Sequence, residues 1–228
     1  MTVAVLVLAA GRGERLGREV PKAYVELDGQ TLLERSLAVM DRVDDVVWVQ
    51  PVIGAEDREC YAGLELPESS KRLDPATGGA LRQDSVAAGL AALPGSVEWV
   101  AVHDAARCLV APEDVSRVVA AAKKHGAAML AVPVRDTIKR VRAGTVVETP
   151  DRSECWSAQT PQVFRLEVLR EALDKARAEA FVGTDDAQLV ERLGVSITVV
   201  SGSDRNIKIT LPEDLAAARS WLAAEREK

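Results

Sequence analysis

The chain has 228 residues, 47% of them apolar and 28% charged, a balance ordinary for a soluble globular enzyme and a length ample for a full core. Its formal net charge of -6 argues against a broad nucleic-acid surface but leaves room for a locally basic pocket that takes a small anion. Cys60, Cys108 and Cys155 show no paired spacing, so neither a disulfide framework nor a zinc site is expected. No leader-like segment and no apolar run of bilayer length occurs. We therefore expect one cytoplasmic domain spanning 1–228, with no nucleic-acid or membrane partner.

Val3–Leu8 is an apolar run that reads as a buried first strand. It leads into Ala9-Ala10-Gly11-Arg12-Gly13-Glu14-Arg15-Leu16-Gly17, with Pro21-Lys22 just beyond. Glycine lets the backbone turn tightly and bring N–H groups close to an anion, and Arg15 and Lys22 add positive charge. The segment suits a polyphosphate. It lacks the Gly-Lys-Ser or Gly-Lys-Thr of a Walker loop, and its G-x-G-x-x-x-G spacing is one residue off the dinucleotide fingerprint. The plainer reading is a glycine-rich turn with solvated charges.

Further Val-rich strands are expected at 46–49, 99–102, 129–132 and 195–200. Helices are expected at 32–40, 85–93, Pro112–His125 and 166–180, with a closing helix over 212–228. Pro112 followed by Glu113 and Asp114 has the composition of a helix start. Alternation of this kind implies a doubly wound α/β sheet, mostly parallel. Residues 133–156 break the rhythm: charge is dense, helical period is absent, and alternating residues flank a turn at Ala143-Gly144. That pattern predicts a β-hairpin arm, which serves either dimerisation or nothing beyond the surface.

Ligands of open α/β sheets sit outside the carboxyl ends of the strands. Charged and polar residues collect at several such ends: Arg15 and Lys22; Arg82 and Ser85 after Gly78-Gly79; Asp104 and Arg107 in His103-Asp104-Ala105-Ala106-Arg107; and Asp204 through Lys208 after the last strand. His103 reads as a residue that orients its loop and His125 as a helix-end residue. They lie on different elements, so no histidine metal site is expected.

These segments, with Arg135-Asp136-Thr137-Ile138-Lys139, Asp151-Arg152, Gln159-Thr160-Pro161-Gln162, Thr184-Asp185-Asp186-Ala187 and Asn206-Ile207-Lys208-Ile209-Thr210, resemble the 2-C-methyl-D-erythritol 4-phosphate cytidylyltransferase family of the non-mevalonate isoprenoid pathway. The match runs from residue 9 to residue 210 in the family's order. It implies a Rossmann-like sheet of the nucleotide-diphospho-sugar transferase type, with the arm making a homodimer. The implied reaction is transfer of CMP from CTP to a polyol phosphate, with Mg²⁺ held mainly by the CTP phosphates and Asp104 as a possible aid.

The resemblance also implies roles. Arg15 and Lys22 would grip the triphosphate, and Lys208 would meet the α-phosphate. Ala9, Ala10, Gly11, Gly13, Gly79, Ser85 and Ala105 would hold the nucleotide. Asp104, Arg107, Thr184 and Asp204 would read the acceptor. Arg152 would bind the acceptor phosphate, and with Thr137 on the arm it would reach the partner subunit's site. Two departures are visible: Cys108 stands where proline is common, and Ala80 where some members carry an acid. D-Ribitol 5-phosphate is the alternative acceptor, and a non-catalytic nucleotide binder is the reading from another class. Retention of Arg15, Lys22, Arg152 and Lys208 argues against the latter.

Overall fold

The computed structural model describes residues 1–11 and 20–226. In chain order the first elements are β1 (Val3–Leu8), β2 (Glu26–Leu27), β3 (Gln30–Thr31), α1 (Leu32–Asp41), β4 (Val46–Ile53), α2 (Arg58–Ala62), β5 (Ala76–Thr77), α3 (Arg82–Ala92) and β6 (Trp99–Asp104). There follow α4 (Pro112–His125), β7 (Ala127–Pro133), β8 (Arg140–Arg142), β9 (Thr145–Glu148), β10 (Trp156–Arg165), α5 (Leu166–Ala178), α6 (Asp186–Glu191), β11 (Thr198–Ser201) and α7 (Pro212–Arg226). The main sheet has the order β11-β7-β10-β6-β1-β4-β5. All its pairings are parallel except those of β10, which runs antiparallel to both β6 and β7.

Side chains alternate faces along a strand, so a strand covered on both sides must be apolar throughout. β1 meets that demand. Val3, Val5 and Val7 pack with Leu33, Leu37 and Met40 of α1 and Val115, Val118 and Val119 of α4. Ala4 and Leu6 face the other layer, with Val86 and Leu90 of α3, Leu169 and Leu173 of α5 and Leu189 of α6. Leu6 is fully buried, and burying a side chain of that size contributes about 1.5–3 kcal/mol. A smaller cluster joins Val25, Leu27 and Leu32 to Ile209, Leu215 and Ala218, tying the segment before α7 to the start of α1. Cys108 lies in that cluster, and burial pushes its thiol up to about 12, so it acts as a small apolar filler.

α4 keeps its expected bounds. Pro112, Glu113 and Asp114 occupy its first turn, Lys123, Lys124 and His125 its last, and Gly126 stops it with φ 97°. Other bounds move. α3 begins at Arg82 rather than at 85, α5 ends at Ala178, and the last strand is Thr198–Ser201. β10 was not expected at all. The expected arm leaves the sheet after Pro133, which closes β7, and returns at Trp156, which opens β10, and its flanks at 134–139 and 149–155 carry no strand. What remains is the exposed hairpin β8–β9, turned by Ala143 and Gly144 at φ 47° and 78°, the mirror-image turn that suits the twist of paired strands. No helix among the described residues is long and apolar enough to cross a membrane.

Candidate active site

The carboxyl ends of β1 and β6 lie side by side, since Leu8 pairs with Asp104. β10 runs the other way, so its N-terminal residues come to that same edge: Trp156 pairs with Pro133 and Gln162 with Val102. The segment after β11 returns there as well, held where the Gly202 N–H donates to the Ala131 carbonyl at 2.8 Å and the Ile209 N–H to Ala106 at 2.9 Å. Four chain segments thus meet at one sheet edge.

The first pocket at this edge is lined by Ala9, Ala10, Gly11, Lys22, Gly79, Ser85, Asp104, Ala105 and Lys208, all expected site residues, together with Arg82. Its backbone is drawn tight. A Cβ at Gly78 would lie 2.6 Å from Ala10 Cβ and 2.7 Å from Ser85 Oγ, so only glycine lets the two segments meet. The Ser85 hydroxyl accepts from the Gly79 N–H at 3.2 Å. Ser85 therefore sits one turn inside α3 and is not its terminal cap, because the helix starts three residues earlier than expected. Gly13 and Arg15 lie outside the described residues.

A second pocket adjoins the first and is lined by Arg107, Gln159, Thr160, Gln162, Thr184 and Asp185. Arg82, Asp104 and Lys208 line both pockets and form the wall between them. Lys208 Nζ is 2.8 Å from Asp104 Oδ2, and Arg82 Nε is 3.3 Å from Asp104 Oδ1. Burial alone would raise the Asp104 carboxyl; the charges of Arg82 and Lys208 outweigh it and hold the group well below the usual carboxylate range. Arg107 donates to the carbonyls of Asn206 at 2.8 Å and Ala158 at 3.1 Å, which braces the pocket rim. Thr184 is not the cap of α6. Asp185 holds that position, accepting from the Gln188 N–H at 2.9 Å, while Thr184 bonds Gln188 Oε1 through its N–H at 2.8 Å.

Three expected residues stand apart from both pockets. Arg152 and Thr137 belong to the segments beside the hairpin, and Arg152 lines a separate recess with Arg135 and Asp151, its Nη1 donating to the Arg135 carbonyl at 2.8 Å. Asp204 is ion-paired with Arg135 on the surface, so the acceptor role read for it is not supported within one chain. Conversely, Gln159, Thr160, Gln162 and Asp185 line the second pocket without having been assigned a role. The only signal for them was their place in the matched segments.

His103 lies beneath this edge, fully buried, with Nδ1 3.1 Å from the Thr160 hydroxyl, which also accepts from the Asp104 N–H at 3.1 Å. Burial lowers its pKa from 6.5 to about 3, so the ring is neutral and orients the loop rather than moving protons. A pH effect on stability follows. The unfolded chain takes this proton near 6.5 and the fold only near 3, so falling pH across that window favours unfolding, by up to ~1.4 kcal/mol per pH unit. The melting midpoint of the wild type is expected to fall more steeply than that of His103→Asn between pH 7 and about 4.5. Parallel slopes would count against a buried neutral ring.

Comparison with known proteins agrees with this geometry. The sequence model of the family described as 2-C-methyl-D-erythritol 4-phosphate cytidylyltransferase matches residues 3–224. A relative of that name from Desulforamulus reducens is 40% identical over 223 residues, covering 96% of this chain and 95% of the relative. The crystal structure of the enzyme so named from Thermus thermophilus superposes with a TM-score of 0.79 at 37% identity, covering 98% of this chain and 100% of that one. A 4-diphosphocytidyl-2C-methyl-D-erythritol synthase from Anaerococcus prevotii gives a TM-score of 0.88 at 29% identity, with coverage of 97% and 96%. With two pockets sharing one charged wall at the sheet edge and matches over nearly its whole length, the chain belongs to the 2-C-methyl-D-erythritol 4-phosphate cytidylyltransferase family of nucleotidyltransferases.

Proposed function

We propose that this chain transfers CMP from CTP to 2-C-methyl-D-erythritol 4-phosphate, releasing pyrophosphate and giving 4-diphosphocytidyl-2-C-methyl-D-erythritol, as a step of the non-mevalonate isoprenoid pathway. The observation that carries this reading is the wall of Arg82, Asp104 and Lys208 between two adjoining pockets. Group transfer needs a donor and an acceptor held separately and meeting at one point. The nucleotide occupies the first pocket, over the backbone of residues 9–11 and Gly79, and the acceptor occupies the second.

The attacking group is an oxygen of the acceptor's phosphate, whose second pKa of about 6 leaves it mostly dianionic at pH 7. No general base is required. The acceptor oxygen forms a bond to the α-phosphorus, the bond from that phosphorus to the bridging oxygen breaks, and pyrophosphate carries the electron pair away. The obstacle is repulsion between anions, so the work of the site is positioning and charge neutralisation. In this reading Lys208 neutralises charge at the α-phosphate, and Lys22 and Arg15 neutralise that of the departing pyrophosphate.

Among the described residues no three His, Cys, Asp or Glu side chains come together to hold a metal ion, and both oxygens of Asp104 face cations. That donor set does not suit a protein-held metal. Mg²⁺ enters on the CTP phosphates, as part of the substrate.

The separation of Arg152 and Thr137 from both pockets of their own chain, with Val141, Val146 and Val147 exposed on the hairpin, supports a homodimer in which each arm completes the other subunit's site. The free thiols of Cys60, Cys108 and Cys155 support a reducing cytoplasm. The test is pyrophosphate release from CTP and Mg²⁺ with 2-C-methyl-D-erythritol 4-phosphate or D-ribitol 5-phosphate as acceptor. Release with the first alone is expected. Release only with the second moves the enzyme to another pathway, and release with neither overturns the reading.

A further inference from the structure

We infer that Arg82 and Asp186 are a positioning pair, which sets Asp104 and through it Lys208 at the point where the two pockets meet. The inference deepens the cytidylyltransferase reading and rests on it. Arg82 opens α3, Asp186 opens α6 and Asp104 ends β6, so the pair links three elements across the site. The Arg82 guanidinium forks: Nη1 reaches Asp186 Oδ2 at 2.7 Å and Nε reaches Asp104 Oδ1 at 3.3 Å. Asp104 then offers its other oxygen to Lys208 Nζ at 2.8 Å. One chain of contacts runs from the floor of α6 to the cation proposed to meet the α-phosphate.

The arrangement is a poor choice for stability alone. Asp186 is fully buried, and its Oδ1 has no hydrogen-bond partner among the described residues. Buried ion pairs usually lose as much in desolvation as they gain in attraction, and an apolar pair of similar volume holds a fold as well or better. Lysine in place of Arg82 would carry the charge but lack the fork that spans two carboxylates. What the guanidinium adds is geometry. It fixes which oxygen of Asp104 is left for Lys208, and a displacement near 1 Å at such a point costs about 100-fold in rate.

Arg82→Ala alone would strand a buried charge and risk unfolding, so the test removes both members together. The double variant Arg82→Met/Asp186→Leu is expected to melt within a few degrees of the wild type. It should bind CTP–Mg²⁺ within about 3-fold by calorimetry, yet release pyrophosphate with a kcat about 100-fold lower. Arg82→Lys is expected to keep no more than about a tenth of wild-type kcat. A double variant or Arg82→Lys with kcat within about 3-fold of wild type overturns the inference. So does a crystal structure of the double variant with Lys208 Nζ undisturbed beside Asp104, a readout that needs no turnover. An inactive wild type strikes the acceptor assignment instead, and the crystal structure then decides the positioning claim by itself.

Discussion

Lys208→Ala is expected to lower kcat for pyrophosphate release about a thousandfold while CTP affinity changes by less than about tenfold. Lys208 Nζ stands at the wall between the pockets, 39% exposed, with Asp104 as its partner. A unit charge near 4 Å from another contributes about 4 kcal/mol at the effective dielectric of a partly exposed protein site, and each 1.36 kcal/mol is tenfold in rate. The loss falls on the chemical step because negative charge gathers around the α-phosphorus as the acceptor oxygen closes on it. In the proposed reading, ground-state binding is shared with Lys22 and with the backbone of residues 9–11, which line the same pocket. Alanine also leaves Asp104 facing the incoming phosphate with less positive charge beside it, which adds repulsion. Steady-state kinetics beside calorimetric CTP titration separates the two quantities. A kcat within tenfold of wild type would remove Lys208 from the reaction.

The second large effect concerns Arg152. Hydrogen bonds to charged groups contribute about 1.5–3 kcal/mol, so Arg152→Ala is expected to lower kcat/KM for the acceptor by roughly 10–150-fold. Its position makes a sharper experiment possible. In one chain Arg152 lies with Arg135 and Asp151, apart from the pockets that hold Lys22 and Lys208. If each arm completes the partner's site, Arg152→Ala and Lys208→Ala subunits rescue one another. Co-expressed in equal amounts, they form mixed dimers as half the population. Each mixed dimer carries both defects at one site and none at the other, so activity should recover to about a quarter of wild type. A mixture as inactive as either variant alone would show that Arg152 serves no site across a subunit boundary.

Much of the fold was legible because its signals are local. The apolar runs of β1, β4, β6 and β7, the Pro112-Glu113-Asp114 start of α4 and the Ala143-Gly144 turn are patterns that the chain carries within a few residues. β10 was not legible. Gln159, Thr160 and Gln162 are polar and Pro161 cannot donate to a ladder, all marks against a central strand. The sheet tolerates them because its register shifts between Ala158 and Gln162 and each polar side chain there finds a partner: Gln159 donates to the Ser203 carbonyl, Thr160 accepts from the Asp104 N–H and Gln162 donates to Asp185.

The site divides in the same way. The segments proposed to hold the nucleotide were picked out by glycine, charge and order along the chain, and Lys22, Gly79, Ser85, Asp104, Ala105 and Lys208 do line one pocket. Arg82 was read as one of the strand-end charges, but its pairing with Asp186 was not readable, because the two lie 104 positions apart and nothing near either residue announces the other. Nor could the chain alone tell Asp204, paired outward with Arg135, from Arg107, which braces the pocket rim. Sequence by itself determined the layered α/β class and raised the expectation of a cationic phosphate site, since periodicity and residue type act over short range. The tertiary structure alone decided which charges share a wall, because the antiparallel course of β10 and the return of the segment after β11 bring together groups that no local pattern connects.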